Sequence, residues 1–318
     1  MILLTGASGF VGRAILAALE QRCSIRVALR NPDSVSPRSC LDVREAFIQP
    51  GQDWAGILEG ISGIVHCAAR VHVMREHAID ALSEFRVVNV EGTLCLARQA
   101  AQSGVRRFVF ISSIGVNGGE THGKPFTIDS EVAPHTPYAV SKSEAETELR
   151  RLASESGMEV VIVRPPLVYG PNAPGNFSSL MKWLTSGVPL PLGGVTRNKR
   201  SFVYLENLVD LIVTCIDHTA AANKTFLVSD DEDLSTAELL RRMGSALGRP
   251  ARLLPVPPGL LRMAASLIGK PGIAQRLCGS LQVDISHTKD VLGWRPPFSV
   301  DEGLKRTAEA YLASRKVA

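Results

Sequence analysis

The sequence predicts an α/β protein: a doubly wound parallel sheet followed by a smaller C-terminal lobe. Short apolar runs at Met1–Leu4, Ile25–Leu29, Ile61–Cys67, Arg107–Ile111 and Glu159–Val163 alternate with helical stretches. Those runs lack the polar alternation of a half-exposed sheet, so helices are expected on both faces. A glycine-rich turn, Thr5-Gly6-Ala7-Ser8-Gly9-Phe10-Val11-Gly12, joins the first run to the first helix. The 318 residues are 45% hydrophobic and 21% charged, which is ordinary globular composition, and the length suits two units at roughly 150 residues per domain.

Taken in order, Met1 to Leu4 form a strand that stops at Thr5-Gly6, and Phe10, Val11, Ile15, Leu16 and Leu19 recur at the helical period. Ile25–Leu29 is the second strand. The third falls between Pro32 and Gln52, where no apolar run marks it. Ile61–Cys67, the helical stretch Asp80–Gln102, Arg107–Ile111, the helix Tyr138–Ser156 and Glu159–Val163 repeat the alternation. After Arg164 the chain becomes loop-rich, with Pro165-Pro166, Pro171 to Gly175, Val188 to Gly194 and Leu254 to Gly259. Residues 1–170 are assigned to the main domain, with 200–230 returning to its sheet through Arg200–Asp217 and Lys224–Ser229. Residues 171–199 and 231–318 form the lobe.

Several classes are disfavoured. Lys plus Arg number 35 against 31 Asp plus Glu, a net charge of +4 with no basic run of five, and counterion release on nucleic acid needs a clustered cationic face. Cys23, Cys40, Cys67, Cys95, Cys215 and Cys278 include no C-x-x-C pair, so a reduced, cytoplasmic compartment fits better than a disulfide framework or zinc site. His72 and His77 lack the i, i+4 spacing of helical ligands, and no metal is expected. The chain opens directly on a strand, leaving no room for a secretory leader, and no run approaches the ~18 apolar residues of a membrane span.

The glycine turn has a specific use. Gly6 permits the tight turn, Gly9 lets backbone approach a pyrophosphate, and Gly12 lets the helix pack close to the strand. The helix N-terminus then offers N–H groups and a partial positive charge to phosphates. Between a strand and a helix, this G-x-x-G-x-x-G predicts a Rossmann-like dinucleotide-binding domain. The second strand ends in Arg30-Asn31 rather than in the acid that would hold the ribose 2′-hydroxyl of NAD. Arg30 favours the 2′-phosphate of NADP(H); if it only lies over the adenine, NAD is tolerated as well.

Tyr138-Ala-Val-Ser-Lys142 places a phenol and an ammonium on one helix face, introduced by Thr136 as N-cap and Pro137 at N1. At ~4 Å and an effective dielectric near 20 the Coulomb energy is about 4 kcal/mol, roughly 3 pKa units, which would bring the phenol to ~7. There it could exchange a proton with a substrate oxygen. Upstream, the strand Arg107–Ile111 ends in Ser112-Ser113, at the edge where such sheets bind ligands.

The glycine loop, His66-Cys67-Ala68-Ala69, Asn89-Val-Glu-Gly-Thr93, Ser112-Ser113, Tyr138/Lys142 and Arg164-Pro-Pro-Leu-Val-Tyr-Gly-Pro171 together resemble the extended short-chain dehydrogenase/reductases, the nucleoside-diphosphate-sugar epimerase/dehydratase family. The resemblance covers nearly the whole chain. It implies that Tyr138 is the general acid/base, that Lys142 holds the cofactor ribose and lowers the phenol pKa, and that Ser113 polarises the substrate oxygen. Ser112 is read as satisfying backbone. Implied cofactor contacts are Gly6, Ser8, Gly9, Phe10, Val11, Gly12, Arg30, Asn31, Ala68, Ala69, Asn89, Tyr138, Lys142 and Pro165. For His66 and Cys67, core packing at a strand end is the simpler reading. Two departures stand out: Val116-Asn117-Gly118 where the family has V-Y-G, and Leu167 where it commonly has Asn.

In the second half, Arg200-Ser-Phe-Val-Tyr204 with Glu206-Asn207 is similar to the family's R-D-F-V-Y-V-D-D segment, whose Arg meets the sugar-nucleotide pyrophosphate. Arg200, Arg276, Asn176, the backbone at Leu190 and Ser113 are the implied substrate contacts. Two chemistries fit the triad. One is NADPH-dependent reduction of the C4 ketone of a UDP-4-keto-6-deoxy-N-acetylhexosamine, as in bacterial surface-polysaccharide synthesis (O-antigen, lipopolysaccharide), toward which Arg30 leans. The alternative is an NAD-dependent UDP-hexose or N-acetylhexosamine 4-epimerase. A non-catalytic NADP-sensing regulator is the rival from another class, disfavoured because Tyr138 and Lys142 are both present. The resemblance also suggests a homodimer through the helices carrying Asn89 and Tyr138.

Overall fold

A computed structural model describes residues 1–34, 41–71, 80–267, 269 and 271–317. Within them ten strands form two sheets: β1 (Ile2–Thr5), β2 (Ile25–Leu29), β3 (Asp42–Glu45), β4 (Gly63–His66), β5 (Arg107–Ile111), β6 (Glu159–Arg164), β7 (Leu167–Tyr169), β8 (Arg200–Tyr204), β9 (Thr225–Leu227) and β10 (Asp233–Leu234). The main sheet runs β3-β2-β1-β4-β5-β6-β9, every neighbouring pair parallel. Strand order reverses between β1 and β4, which opens a crevice at their carboxyl ends where doubly wound sheets take ligands.

Side chains alternate across this sheet. Leu4, Val27, Val65, Val109 and Val161 face the helices Phe10–Leu19 and Leu205–Asp217, through Ile15, Leu16, Leu208 and Ile212. Leu3, Ile64, Phe108, Phe110 and Ile162 face the helices Thr93–Gln102 and Pro137–Ser156, through Leu96, Ala97, Ala145 and Leu149. Both faces are dry, as the unbroken apolar runs predict. β3 is the polar strand, Asp-Val-Arg-Glu. An ion pair fixes it rather than burial of its own: Arg26 of β2 donates to Asp42 at 2.6 Å and to the carbonyls of Ile57 and Glu59 at 2.8 Å.

The second sheet, β10-β8-β7, belongs to the lobe. Here the sequence expectation divides. Thr225–Leu227 joins the main sheet beside β6, and the helix Leu205–Asp217 packs on its face. Arg200–Tyr204, however, pairs with Leu167–Tyr169 and Asp233–Leu234. The small sheet has its own core, in which Tyr169, Phe202 and Tyr204 meet Phe177, Leu190, Leu240 and Leu304. His72, His77 and Cys40 lie outside the described residues. Among the described residues, no helix is long and apolar enough to cross a membrane and no group of His, Cys, Asp and Glu is disposed to hold a metal ion.

Candidate active site

The glycine turn is a cradle that side chains would fill. Gly6 has φ +75°, and a Cβ there would meet Ala68 N at 2.6 Å, where the end of β4 passes. A Cβ on Gly12 would sit 2.0 Å from Gly6 O, so the helix Phe10–Leu19 lies directly on the loop. Gly9 caps that helix without a side chain and donates its N–H to Gly6 O at 3.0 Å. The first helical turn carries no acid, leaving its dipole unopposed toward an anion. Arg30 and Asn31 stand exposed just past β2, and Asn31 Oδ1 accepts from Asp33 N at 3.0 Å. No carboxylate occupies the Arg30 position. These features fit a dinucleotide pyrophosphate in the loop.

The next residues along the crevice come from β4. His66, fully buried, takes Thr5 Oγ1 at 2.8 Å and Thr93 Oγ1 at 3.0 Å on its two ring nitrogens. Burial pulls its pKa down to about 3, helped by the Lys142 charge, so the ring is neutral. Burial pushes the Cys67 thiol up to about 12, which leaves it an inert packing group. Ala68 N donates to Thr5 Oγ1 at 3.3 Å. The Asn89–Gly92 part of the motif lies on a π-helical turn, Val87–Gly92, and Thr93 opens the helix that follows. Asn89 accepts from Arg70 N and donates to Arg70 O and Ser141 Oγ, tying the β4 loop to the helix that carries Tyr138. Gly92 lets the turn approach Ile48 and Gln49, whose backbone lies 2.7 Å from its virtual Cβ.

Thr136 caps the helix Pro137–Ser156 by accepting from Ala139 N at 3.2 Å, with Pro137 at its start and Gly157 at φ +76° at its end. Lys142 is 1% exposed. Its Nζ donates to Ile111 O at 2.8 Å and lies 4.3 Å from the Phe110 ring centroid. Burial pulls this ammonium down to about 8 against the opposing influence of Cys67 and Glu146. The Tyr138 phenol, edge-on to Phe85, is pushed up to about 12 by burial. That reverses the lowering toward ~7 that the sequence predicts for a 4 Å pair: the ammonium is directed at the carbonyl ending β5, and desolvation of the phenol is the larger effect. Among the described residues, Ile111 O is the only hydrogen-bond acceptor of Lys142, so two of its three N–H donors suit further acceptors such as ribose hydroxyls.

Ser113 lies where β5 ends. Its Oγ accepts from Gly115 N at 3.1 Å and caps the turn Ile114–Val116. A Cβ on Gly115 would touch Ser113 Oγ and Ala139 Cβ at 3.3 and 3.4 Å, so the serine turn abuts the first turn of the Tyr138 helix. Pro165 O accepts from Ile114 N at 3.0 Å. Ser112 differs from its sequence reading: its Oγ donates to Glu146 Oε1 at 2.5 Å. Glu146 in turn takes Arg164 through two bonds, 2.9 and 2.5 Å, and Arg164 donates to Asn117 Oδ1 at 2.9 Å. Burial alone would raise the Glu146 pKa, but Arg164, Ser112 and Arg150 hold it below the usual carboxylate range. The Asn117 departure from V-Y-G is thus part of this network under the serine turn. Sequence reading missed Glu146; its one signal is the i+4 step from Lys142 on the same helix face.

Further out, Arg200 opens β8. Its guanidinium donates to Gly279 O at 3.2 Å. Burial lowers its pKa, Glu120 opposes, and the Arg276 charge adds repulsion. Leu190 is different. It lies 2% exposed in the lobe core, its N–H donates to Arg252 O and its carbonyl accepts from Leu254 N, both at 2.8 Å. Its backbone N–H and one lone pair of its carbonyl are thus engaged within the lobe. Asn176 begins the helix Asn176–Ser186; its side chain lies outside the described residues. Leu167, the second departure, is 45% exposed on β7.

Comparison with known proteins agrees with the fold. The model of the NAD dependent epimerase/dehydratase family matches residues 2–229. A UDP-glucose 4-epimerase of Vibrio cholerae is 49% identical over 312 residues, 98% of this chain and 95% of that protein. The N-acetyl-alpha-D-glucosaminyl-diphospho-ditrans,octacis-undecaprenol 4-epimerase of Escherichia coli O157:H7 is 28% identical over 97% of this chain and 94% of that protein. Among solved structures, a DesIV double mutant (dTDP-glucose 4,6-dehydratase) from Streptomyces venezuelae with NAD bound superposes with a TM-score of 0.77 at 26% identity, covering 100% of this chain and 98% of that one. A family match over most of its length, together with a relative half identical along nearly all of it, makes this chain a member of the NAD dependent epimerase/dehydratase family.

Proposed function

We propose that the protein is a 4-epimerase of a UDP-hexose or UDP-N-acetylhexosamine, using NAD held in the glycine cradle. The observation that carries the reading is the meeting of the Ser113 turn with the Tyr138/Lys142 helix at one sheet edge. It occurs in a chain 49% identical to a protein named UDP-glucose 4-epimerase. Both relatives are 4-epimerases by name, which favours this chemistry over the single reduction. Residues 1–170, with the helix Leu205–Asp217 and β9, hold the cofactor in this reading; 171–199 and 231–318 take the sugar nucleotide.

Gly6 to Gly12, with Ser8, Phe10 and Val11, receive the pyrophosphate. Arg30 and Asn31 flank the adenosine ribose, and Ala68, Ala69, Pro165 and Lys142 border the nicotinamide end. When bound there, NAD would supply reversible hydride acceptance at C4 of the sugar. Tyr138 removes the O4 proton as the 4-keto sugar forms and restores it at the end. Ser113 donates a hydrogen bond to O4 and stabilises its developing charge. A phenol at about 12 is some five pKa units too weak an acid for pH 7, about 7 kcal/mol. Lys142, one turn along the same helix face, offsets part of that by stabilising the phenolate as it forms. Arg200 and Arg276 hold the diphosphate while the hexose turns. The protein acts as a homodimer in the cytoplasm in this reading.

Arg30 favours a second reading: NADPH-dependent reduction of a UDP-4-keto-6-deoxy-N-acetylhexosamine. Mass spectrometry separates the two. With NAD and UDP-glucose or UDP-N-acetylglucosamine, epimerisation gives an isomer of unchanged mass. Failure to isomerise either sugar, with a two-mass-unit gain on the keto sugar and NADPH, would overturn the proposal in favour of reduction.

A further inference from the structure

The lobe carries a helical hairpin, Pro258–Leu267 and Pro271–Cys278. Its inward residues are Leu261, Ala265, Ala274 and Leu277, which are buried or pack on the lobe core. Its outward face mixes the exposed Arg262, Ser266, Gln275 and Arg276 with large apolar residues. Leu260, Met263 and Leu267 are 52%, 57% and 81% exposed, and Ile273 on the second helix is 49% exposed. The first three stand at i, i+3 and i+7, one face of one helix. Single exposed apolar residues are ordinary, whereas four on one hairpin form a patch that needs a partner.

The charge around the patch identifies that partner. Residues 243–283 contain Arg249, Arg252, Arg262, Lys270 and Arg276 and no Asp or Glu. Removing these five from the 35 cations leaves 30 against 31 acids, so this stretch carries the whole positive excess of the chain. A short helix with an outward apolar face inside an acid-free cationic segment matches a lipid surface in both respects. Acyl chains take the apolar face and anionic headgroups take the exposed Arg252 and Arg262, Arg276 being kept for the diphosphate. Neither helix is long and apolar enough to span a bilayer, so the hairpin lies on the membrane and does not cross it. We infer that the hairpin 258–278 docks the protein on an anionic bilayer surface. Docking is independent of which sugar the site accepts.

Flotation of the full chain with vesicles tests this, using phosphatidylglycerol/phosphatidylcholine mixtures against phosphatidylcholine alone. The protein floats with the anionic vesicles, floats poorly with the neutral ones, and is released at about 0.5 M salt as the charges are screened. Leu260→Ser/Met263→Ser/Leu267→Ser lowers binding at least about tenfold, with unchanged circular dichroism and turnover because the three side chains already face outward. Arg252→Glu/Arg262→Glu lowers it again through charge alone. No flotation of the wild type, or equal flotation of the triple variant, overturns the inference. Loss of self-association by the triple variant with lipid binding intact also overturns it, and assigns the face to a second copy of the chain.

Discussion

Glu146→Gln probes the network beneath the serine turn. The carboxylate is buried and takes four bonds, from Ser112 Oγ, Arg164 Nε and Nη2, and Arg150 Nη2. Glutamine keeps the shape and one acceptor oxygen but removes the charge. That leaves Arg164, 3% exposed, as a buried cation whose remaining side-chain partner is Asn117 Oδ1. Removing one member of a buried pair costs about 3–5 kcal/mol; the half-exposed Arg150 adds little, being screened by solvent. At about 2.1 cal/mol/K per residue, 318 residues convert this to roughly 5–7 °C in Tm. Thermal and urea denaturation at pH 7, followed by circular dichroism, measure it. Glu146→Leu/Arg164→Met removes both charges, so it costs less than the two single changes together. A Glu146→Gln loss below about 1 kcal/mol, or a double variant as damaging as the sum of the singles, would refute the reasoning.

Four further outcomes follow from the site. His66 is held at about 3 against an ordinary 6.5, and Glu146 below its ordinary 4.5. Both contributions are complete at neutral pH; the first is lost as pH falls from 6.5 toward 3, the second below 4.5, so the denaturation midpoint drops on acidification and a flat profile contradicts it. Gly12→Ala forces a Cβ to 2.0 Å from Gly6 O and weakens NAD binding at least about tenfold by displacing the loop, measured by fluorescence titration. Lys142, lowered from 10.5 to about 8, costs the fold stability below pH 8, a cost relieved as pH rises from 8 toward 10.5. Lys142→Met therefore raises stability at pH 7 by about 1–3 kcal/mol while abolishing turnover; a less stable variant contradicts it. Tyr138→Phe keeps cofactor affinity and loses about 10²–10⁴ in turnover.

The parts of the fold legible in the sequence are those whose cause is local. The glycine turn needs three residues at fixed spacing, the apolar runs of β1, β2 and β5 bury both faces, and Thr136-Pro137 starts a helix by its own chemistry. β3 was not legible because a salt bridge sixteen residues back along the chain, at Arg26, fixes it. Arg200–Tyr204 reads as a main-sheet strand by its apolar pattern, yet which sheet it joins depends on partners distant in sequence, Leu167–Tyr169 and Asp233–Leu234. At the site, residue types were readable and electrostatics were not. The Tyr138–Lys142 spacing suggests a lowered phenol, but the direction is set by burial and by Ile111 O, which no spacing reveals. The Leu190 backbone pairs with Arg252 and Leu254, across some sixty residues, which the sequence around Leu190 does not reveal.

The most direct test of the central claim follows a deuterium at C4 of UDP-glucose or UDP-N-acetylglucosamine, incubated with the enzyme and NAD only. The account predicts a C4 epimer that keeps the deuterium at C4, with no net reduced cofactor, because the hydride leaves and returns within one site. Absence of the epimer from both sugars, or an epimer whose C4 deuterium has been lost, would contradict it.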